Sequence, residues 1–209
     1  MESRFFNNLL HYISQDERFN REMTAAKKEF EQIAGPIHDA DREYLARINS
    51  FHNWYILDRP LTAHGLTPLE YFLQYNANSL SPEELTGYRD LCTNIHSVFE
   101  LAKRTKTHTW VRDLISRRKF IVEGGEDTDH IDPGALFNSR LFFHGAKTYF
   151  SNYVVPHPEI VAKDIKRAAK RCRKAKRDPK GLLFQLVLFH SRWDQYRQFD
   201  AKNIYRFEN

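Results

Sequence analysis

Cysteine is the scarcest chemistry in this sequence. Cys92 and Cys172 are the two it has in 209 residues, and neither belongs to a ligand or redox motif, so the core has to form without disulfide or metal staples. Long apolar runs are missing as well. No window approaches 18 continuous apolar residues, and the opening MESRFFNNLLHYISQDER lacks both a basic leader and an unbroken apolar stretch. These absences point to a soluble protein in a reducing, cytoplasmic setting. Internal repeats and low-complexity linkers are also lacking.

Catalytic signatures are equally thin. The ten histidines are dispersed, with none in HExxH or beside a cysteine ligand set, and Ser139 is not in a GxSxG elbow. Glu123-Gly124-Gly125-Glu126 fits neither GxGxxG nor GxxxxGKS/T. Cys92 and His96 fall one helical turn apart, yet Leu91 and Ile95 predict that the thiol is buried; Cys172 lies among like charges that favour its thiolate. The loop EDTDHIDPG gathers Glu126, Asp127, Asp129, His130 and Asp132, but not at calcium-loop spacing, and Asp132-Pro133-Gly134 is an ordinary turn. His52 and His190 sit in apolar helical surroundings and read as packing or buried hydrogen-bonding residues. No catalytic residue, metal or cofactor is expected, and an uncharacterised enzyme is a less favoured class.

What the chain does have is aromatic mass, with sixteen Phe, ten Tyr and three Trp, most of it destined for burial. Phe5, Phe6, Leu9, Leu10 and Ile13 share one helical face; Phe19, Met23, Ala26, Phe30 and Ile33 repeat the spacing until Gly35-Pro36. A third helix starts near Asp39 or Asp41 and runs through Trp54 to Arg59-Pro60. Thr67-Pro68-Leu69-Glu70 and Ser81-Pro82-Glu83-Glu84 are two capping boxes, the second leading a helix through Leu91, Cys92 and Ile95. The period then shifts toward two, with strands expected at 98–101, 109–114, 119–122, 135–143 and 148–155. A helix over 159–176 and an apolar helix from Leu182 to Trp193 follow, with Tyr205 and Phe207 packing the C-terminus. The expected class is α+β: a helical region (1–96), a small curved antiparallel sheet or SH3-like partial barrel (97–156), and C-terminal helices (157–209) packed on the N-terminal ones.

Positive charge is concentrated in one place. KDIKRAAKRCRKAKRDPK, residues 163–180, holds ten Lys and Arg against Asp164 and Asp178, a local charge of +8, whereas the other 22 basic and 25 acidic side chains sum to −3. Lys166, Arg167, Lys170, Arg171, Arg173, Lys174 and Arg177 are the anion-binding candidates, and Trp110, Arg112, Arg117, Arg118 and Lys119 could add charge and stacking from the β module. Asp58-Arg59, Arg112-Asp113 and Arg140 read as a structural or recognition network, because a half-buried guanidinium needs acceptors.

The same residues carry a resemblance. The stretch from Phe51 through Trp54 to Asp58-Arg59, then Gly65-Leu66-Thr67-Pro68-Leu69-Glu70 and Leu80-Ser81-Pro82-Glu83-Glu84, resembles the helical core of bacterial proteins that often carry a SecC-type zinc-chelating tail. Ser97 to Glu100, Val111 to Leu114, Phe120 to Val122 and Asp132 to Leu141 resemble that family's small β segment, so the likeness spans residues 48–145. The family's zinc feature is a terminal cysteine cluster; after Ser151 this chain has only Cys172, and zinc is not carried over. The resemblance implies a helical region with a compact β module acting as an interaction platform, and no established catalytic residue. The favoured function is a non-enzymatic binding or adaptor protein engaging RNA, DNA or an acidic protein. A structural or protein-interaction role is the alternative, and an anionic membrane or cyclic dinucleotide is a less favoured partner. Arg117-Arg118 resembles the entrance of a cyclic-dinucleotide receptor, but Asp132-Pro133-Gly134-Ala135 does not complete one.

Overall fold

Asp16 divides the first two amphipathic helices, α1 (Glu2–Gln15) and α2 (Glu17–Ala34), because its carboxylate caps α2 by accepting the Arg18 N–H at 2.9 Å. The computed structural model describes residues 2–124 and 128–207. α2 ends at Gly35, whose φ of +86° suits glycine, and a Cβ there would lie 3.1 Å from Leu188 Cδ1. Helix α3 (Tyr44–Leu57) begins later than the sequence suggests. The Asp41 carboxylate accepts the His38 N–H at 3.0 Å and holds that approach as a turn. α4 (Pro68–Asn76) and α5 (Pro82–Cys92) both start with complete capping boxes, Thr67 with Glu70 and Ser81 with Glu84. Gly87 on α5 leaves room for the buried Phe5 ring, which a Cβ would approach to 2.2 Å.

α5 stops at Cys92, and Ile95 lies not on the helix but in strand β1 (Asn94–Arg104). Pairing explains the difference: from Asn94 onward the chain is laddered to β4 (Leu136–His144), Asn94 opposite Phe142 and Ile95 opposite Leu141. With β2 (His108–Asp113), β3 (Lys119–Glu123) and β5 (Lys147–His157), these strands make an antiparallel sheet in the order β3-β2-β1-β4-β5. All five expected strands are present. Register irregularities between Leu101 and Lys103, and between Ser139 and Leu141, bend the sheet. Its outer strands approach far enough for Lys147 Nζ to reach Glu123 Oε2 at 3.5 Å. Among the described residues the ladder does not close, so the sheet is curved and open.

The concave face packs Phe99, Leu101, Val111, Phe120, Val122, Phe137, Leu141 and Phe150 together. The convex face is used unequally. Over β1 and β4 it is covered by helices α6 (Ala162–Lys174) and α7 (Lys180–Gln195), with Val98 and Leu136 in one cluster with Ile165, Ala169, Leu183, Leu186 and Phe189. This double burial is why β4 is buried along most of its length. α7 also meets the N-terminal helices, where Phe184 stands 6.0 Å from Phe30 and 6.1 Å from Trp54, centroid to centroid. A four-residue helix α8 (Ala201–Ile204) precedes Tyr205, which packs on Phe189 at 5.3 Å.

Arg140 pins β4 to the end of α3. Its side chain is 2% exposed, pairs with Asp58 and donates to Asn94 Oδ1, the inter-element ion pair that a buried guanidinium requires. Arg59 instead bridges to α2 through Glu22 and Glu29, at 2.7 Å each.

Candidate anion-binding cleft

Helix α6 buries Ile165, Ala168 and Ala169, and two of these, Ile165 and Ala169, join Val98 and Leu136 of the sheet in one cluster. That choice of face decides which cations meet the β module. Lys166 and Lys170, four residues apart, fall on one flank with Arg173 beside them, facing the convex side of β1 and β2. A cleft of about 320 Å³ opens between them, lined by Glu100, Arg112, Leu114, Arg117, Lys166, Lys170 and Arg173. Among the described residues that line it, five are cationic and one is a carboxylate.

Two contacts fix the helix across this cleft. Lys166 Nζ donates to Glu100 Oε1 at 2.6 Å, and Arg173 Nη1 donates to the Leu114 carbonyl at 2.9 Å. Glu100 stands opposite Arg112 in the β1–β2 register, so one carboxylate is set between a helix ammonium and a strand guanidinium. The opposite wall is organised by Asp113, only 2% exposed. Its carboxylate accepts the Ser97 hydroxyl at 2.5 Å, the Ile115 N–H at 2.8 Å and the Ser116 hydroxyl. The β2–β3 turn built on these bonds leaves Arg117 at φ +67°, a backbone state that costs a non-glycine residue roughly 1 kcal/mol and sets its exposed side chain at the cleft rim.

The cationic residues singled out from sequence divide into groups. Lys166, Lys170, Arg173, Arg112 and Arg117 converge on the cleft. Arg167 turns to Asp164 on its own helix at 3.1 Å. Arg171 and Arg177 line a second depression of about 550 Å³ together with Cys172, Leu182 and Phe207, while Lys174 is exposed at the end of α6 and lines neither. Arg118 lies over the Phe120 ring at 5.1 Å. Lys119 faces solvent opposite Arg112, and Trp110 follows two residues along the same face of β2, with Lys103 Nζ 5.3 Å from its ring centroid. Arg112 and Asp113 are not partners, because neighbouring strand residues point to opposite faces. Glu100 was not anticipated as a site residue: the alternation around Val98 and Leu101 gives its face, but nothing local announces Lys166 as its partner.

Both cysteine expectations change. Cys92 is exposed, not buried, since Leu91 takes the core position at the helix end; partial burial of its sulfur and the nearby Glu70 raise its pKa. Cys172 also has its pKa raised, by burial and Asp178, with Arg177 opposing. Its Sγ donates to the Arg177 carbonyl at 3.5 Å. The thiol–imidazole pair does not form on a helix, because His96 belongs to β1. In the acidic loop, Gly125, Glu126 and Asp127 lie outside the described residues; Asp129 meets Arg104 at 3.5 Å. Among the described residues no group of three or more His, Cys, Asp or Glu suits a metal ion, and no helix is long and apolar enough to cross a membrane.

Of the remaining histidines of note, His157 and His190 are buried, and His52 and His96 are partly buried. His190 is 2% exposed, and burial pushes it down to about 4. Burial likewise lowers His52 to about 4 and holds His96 and His157 well below the usual range. His157 uses both ring nitrogens, toward Tyr205 Oη and Asn138 Oδ1 at 3.1 Å each. No family model, curated protein or solved structure matches the chain.

Proposed function

We propose that this chain is a non-catalytic binding module whose cleft between α6 and the β1–β2 face engages a phosphate-bearing polyanion, RNA or DNA. The observation that carries this reading is the convergence of Arg112, Arg117, Lys166, Lys170 and Arg173, from three separate elements, on one 320 Å³ space with a single carboxylate among its described lining residues. Like charges held that close repel one another until an anion enters, and a concave wall focuses their field. Guanidinium groups present paired donors that match phosphate oxygens, while the lysines act as mobile point charges. Counterions released from the ligand add a favourable entropy that weakens as salt rises. The interaction-platform role implied by the SecC-type resemblance is compatible with this surface. An acidic protein is the second reading, favoured by the Glu100 carboxylate already seated against Lys166.

Anisotropy titrations of labelled RNA and DNA oligonucleotides at rising salt test the proposal. Neutralising four contacts on a single strand gives a log–log slope of roughly −3, or about an eightfold loss of affinity per doubling of salt. The pair Lys170→Gln and Arg112→Gln should flatten that slope by about one unit or more. Unchanged affinity and slope in the double variant would remove the cleft as the site; tight binding of an acidic peptide alone would favour the second reading.

A further inference from the structure

The strand row that leads out of the cleft narrows the ligand class. On the convex face of β2, Arg112 and Trp110 are successive outward residues, since Thr109 and Val111 turn inward and are buried. The ladder extends each into a cross-strand row. Glu100, Arg112 and Lys119 form a charged row at the cleft, and Lys103, Trp110 and Ile121 form the next row. Two strand residues separate the rows by about 7 Å. Ile121 is 54% exposed, a large apolar side chain left in water directly beside a half-buried indole. Neither Trp110 nor Ile121 belongs to the clusters that join the sheet to its helices. His108 stands 5.9 Å from the Trp110 ring, and Lys103 lies over it, so the apolar spot is bordered by groups suited to phosphate and base edges.

We infer that the ligand of the cleft is a single-stranded nucleic acid, with its phosphates among Arg112, Arg117, Lys166 and Lys170 and an adjoining base laid on Trp110 against Ile121. The inference rests on the polyanion reading above and adds the strand form and the stacking residue. A base can use this row only if its flat face is free, which a duplex denies it. Inorganic polyphosphate has no flat face to offer. The Lys103 ammonium, displaced from the ring by the base, remains near enough to meet the next phosphate.

The test compares labelled oligothymidylate, a duplex of equal length, and inorganic polyphosphate as a competitor, using the full chain. Trp110→Leu keeps an apolar side chain, and Ile121→Ser changes an already exposed position, so between them at least one folded variant is secured; circular dichroism checks both. Each is expected to weaken oligothymidylate binding, Trp110→Leu by about tenfold or more, while leaving polyphosphate inhibition unchanged. Lys170→Gln should weaken both ligands. Binding of oligothymidylate that is indifferent to both variants, or duplex and polyphosphate binding as tightly as the single strand, would overturn the stacking inference while the polyanion reading stands. Indifference to Lys170→Gln and Arg112→Gln as well would overturn that reading too.

Discussion

Acidification should destabilise this fold through its buried imidazoles, and His190 allows the size of the effect to be worked out. Its side chain is 2% exposed and its pKa is pushed down to about 4 by burial, against an ordinary value of 6.5; Asp194 acts in the opposite direction but is outweighed. The folded-state value is the depressed one, so between about pH 6.5 and 4 the unfolded chain binds the extra proton. Stability is therefore fully present above pH 6.5 and is lost as pH falls toward 4. At pH 5 the unfolded imidazole is mostly charged and the folded one mostly neutral, a difference of about 2 kcal/mol for this residue. His52, His96 and His157 shift in the same direction. The His157 ring lies 6.2 Å from that of His190, so charging either opposes charging the other. The His190 contribution by itself is an appreciable share of the roughly 5–15 kcal/mol that holds a typical domain. Urea unfolding at pH 7, 6 and 5 should show the midpoint falling, with an initial slope near 1.4 kcal/mol per pH unit for each proton taken up. His190→Gln should remove about one proton from that slope. Equal stability at pH 7 and 5, or a His190 resonance titrating near 6.5 in the folded protein, would refute the reasoning.

Two further outcomes follow from the polar contacts. Asp58→Ala strands the Arg140 guanidinium inside the protein and should lower stability by about 3–5 kcal/mol, whereas Arg140→Met leaves a carboxylate able to reach water and should cost less; denaturant melts of the two variants decide, and a loss under 1 kcal/mol for Asp58→Ala would be the wrong result. Glu100→Gln removes the carboxylate that competes for Lys166 and Arg112, and should tighten polyanion binding by about fivefold, the scale of one half-exposed ion pair; weaker binding in the titration would show that Glu100 positions the lysine instead.

Elements whose signals are local were legible. Both partners of each capping box lie within four residues, so Thr67 with Glu70 and Ser81 with Glu84 announce their helices without help from the rest of the chain. The five strands were visible through alternation and turn residues. Ile95 was misassigned because its apolar spacing continues the helix equally well, and the competing contacts, Leu141 and its ladder, lie far along the chain. Cys92 was misplaced for a related reason: at a helix end, a shift of one residue exchanges core for solvent. The cations were legible as a group but not as a site, since Lys166, Arg167 and Lys170 look alike until the helix commits one flank to the sheet.

The kinds of element, their order and the concentration of charge late in the chain are all local properties, because backbone preference and side-chain polarity act over a few residues. Long-range packing is what turns Lys166, Lys170 and Arg173 toward Arg112 and Arg117 and leaves Arg167, Arg171 and Arg177 elsewhere. That division depends on Ile165 and Ala169 packing with Val98 and Leu136, and burial of apolar surface between distant segments rotates the helix as a whole, carrying each charged side chain with it.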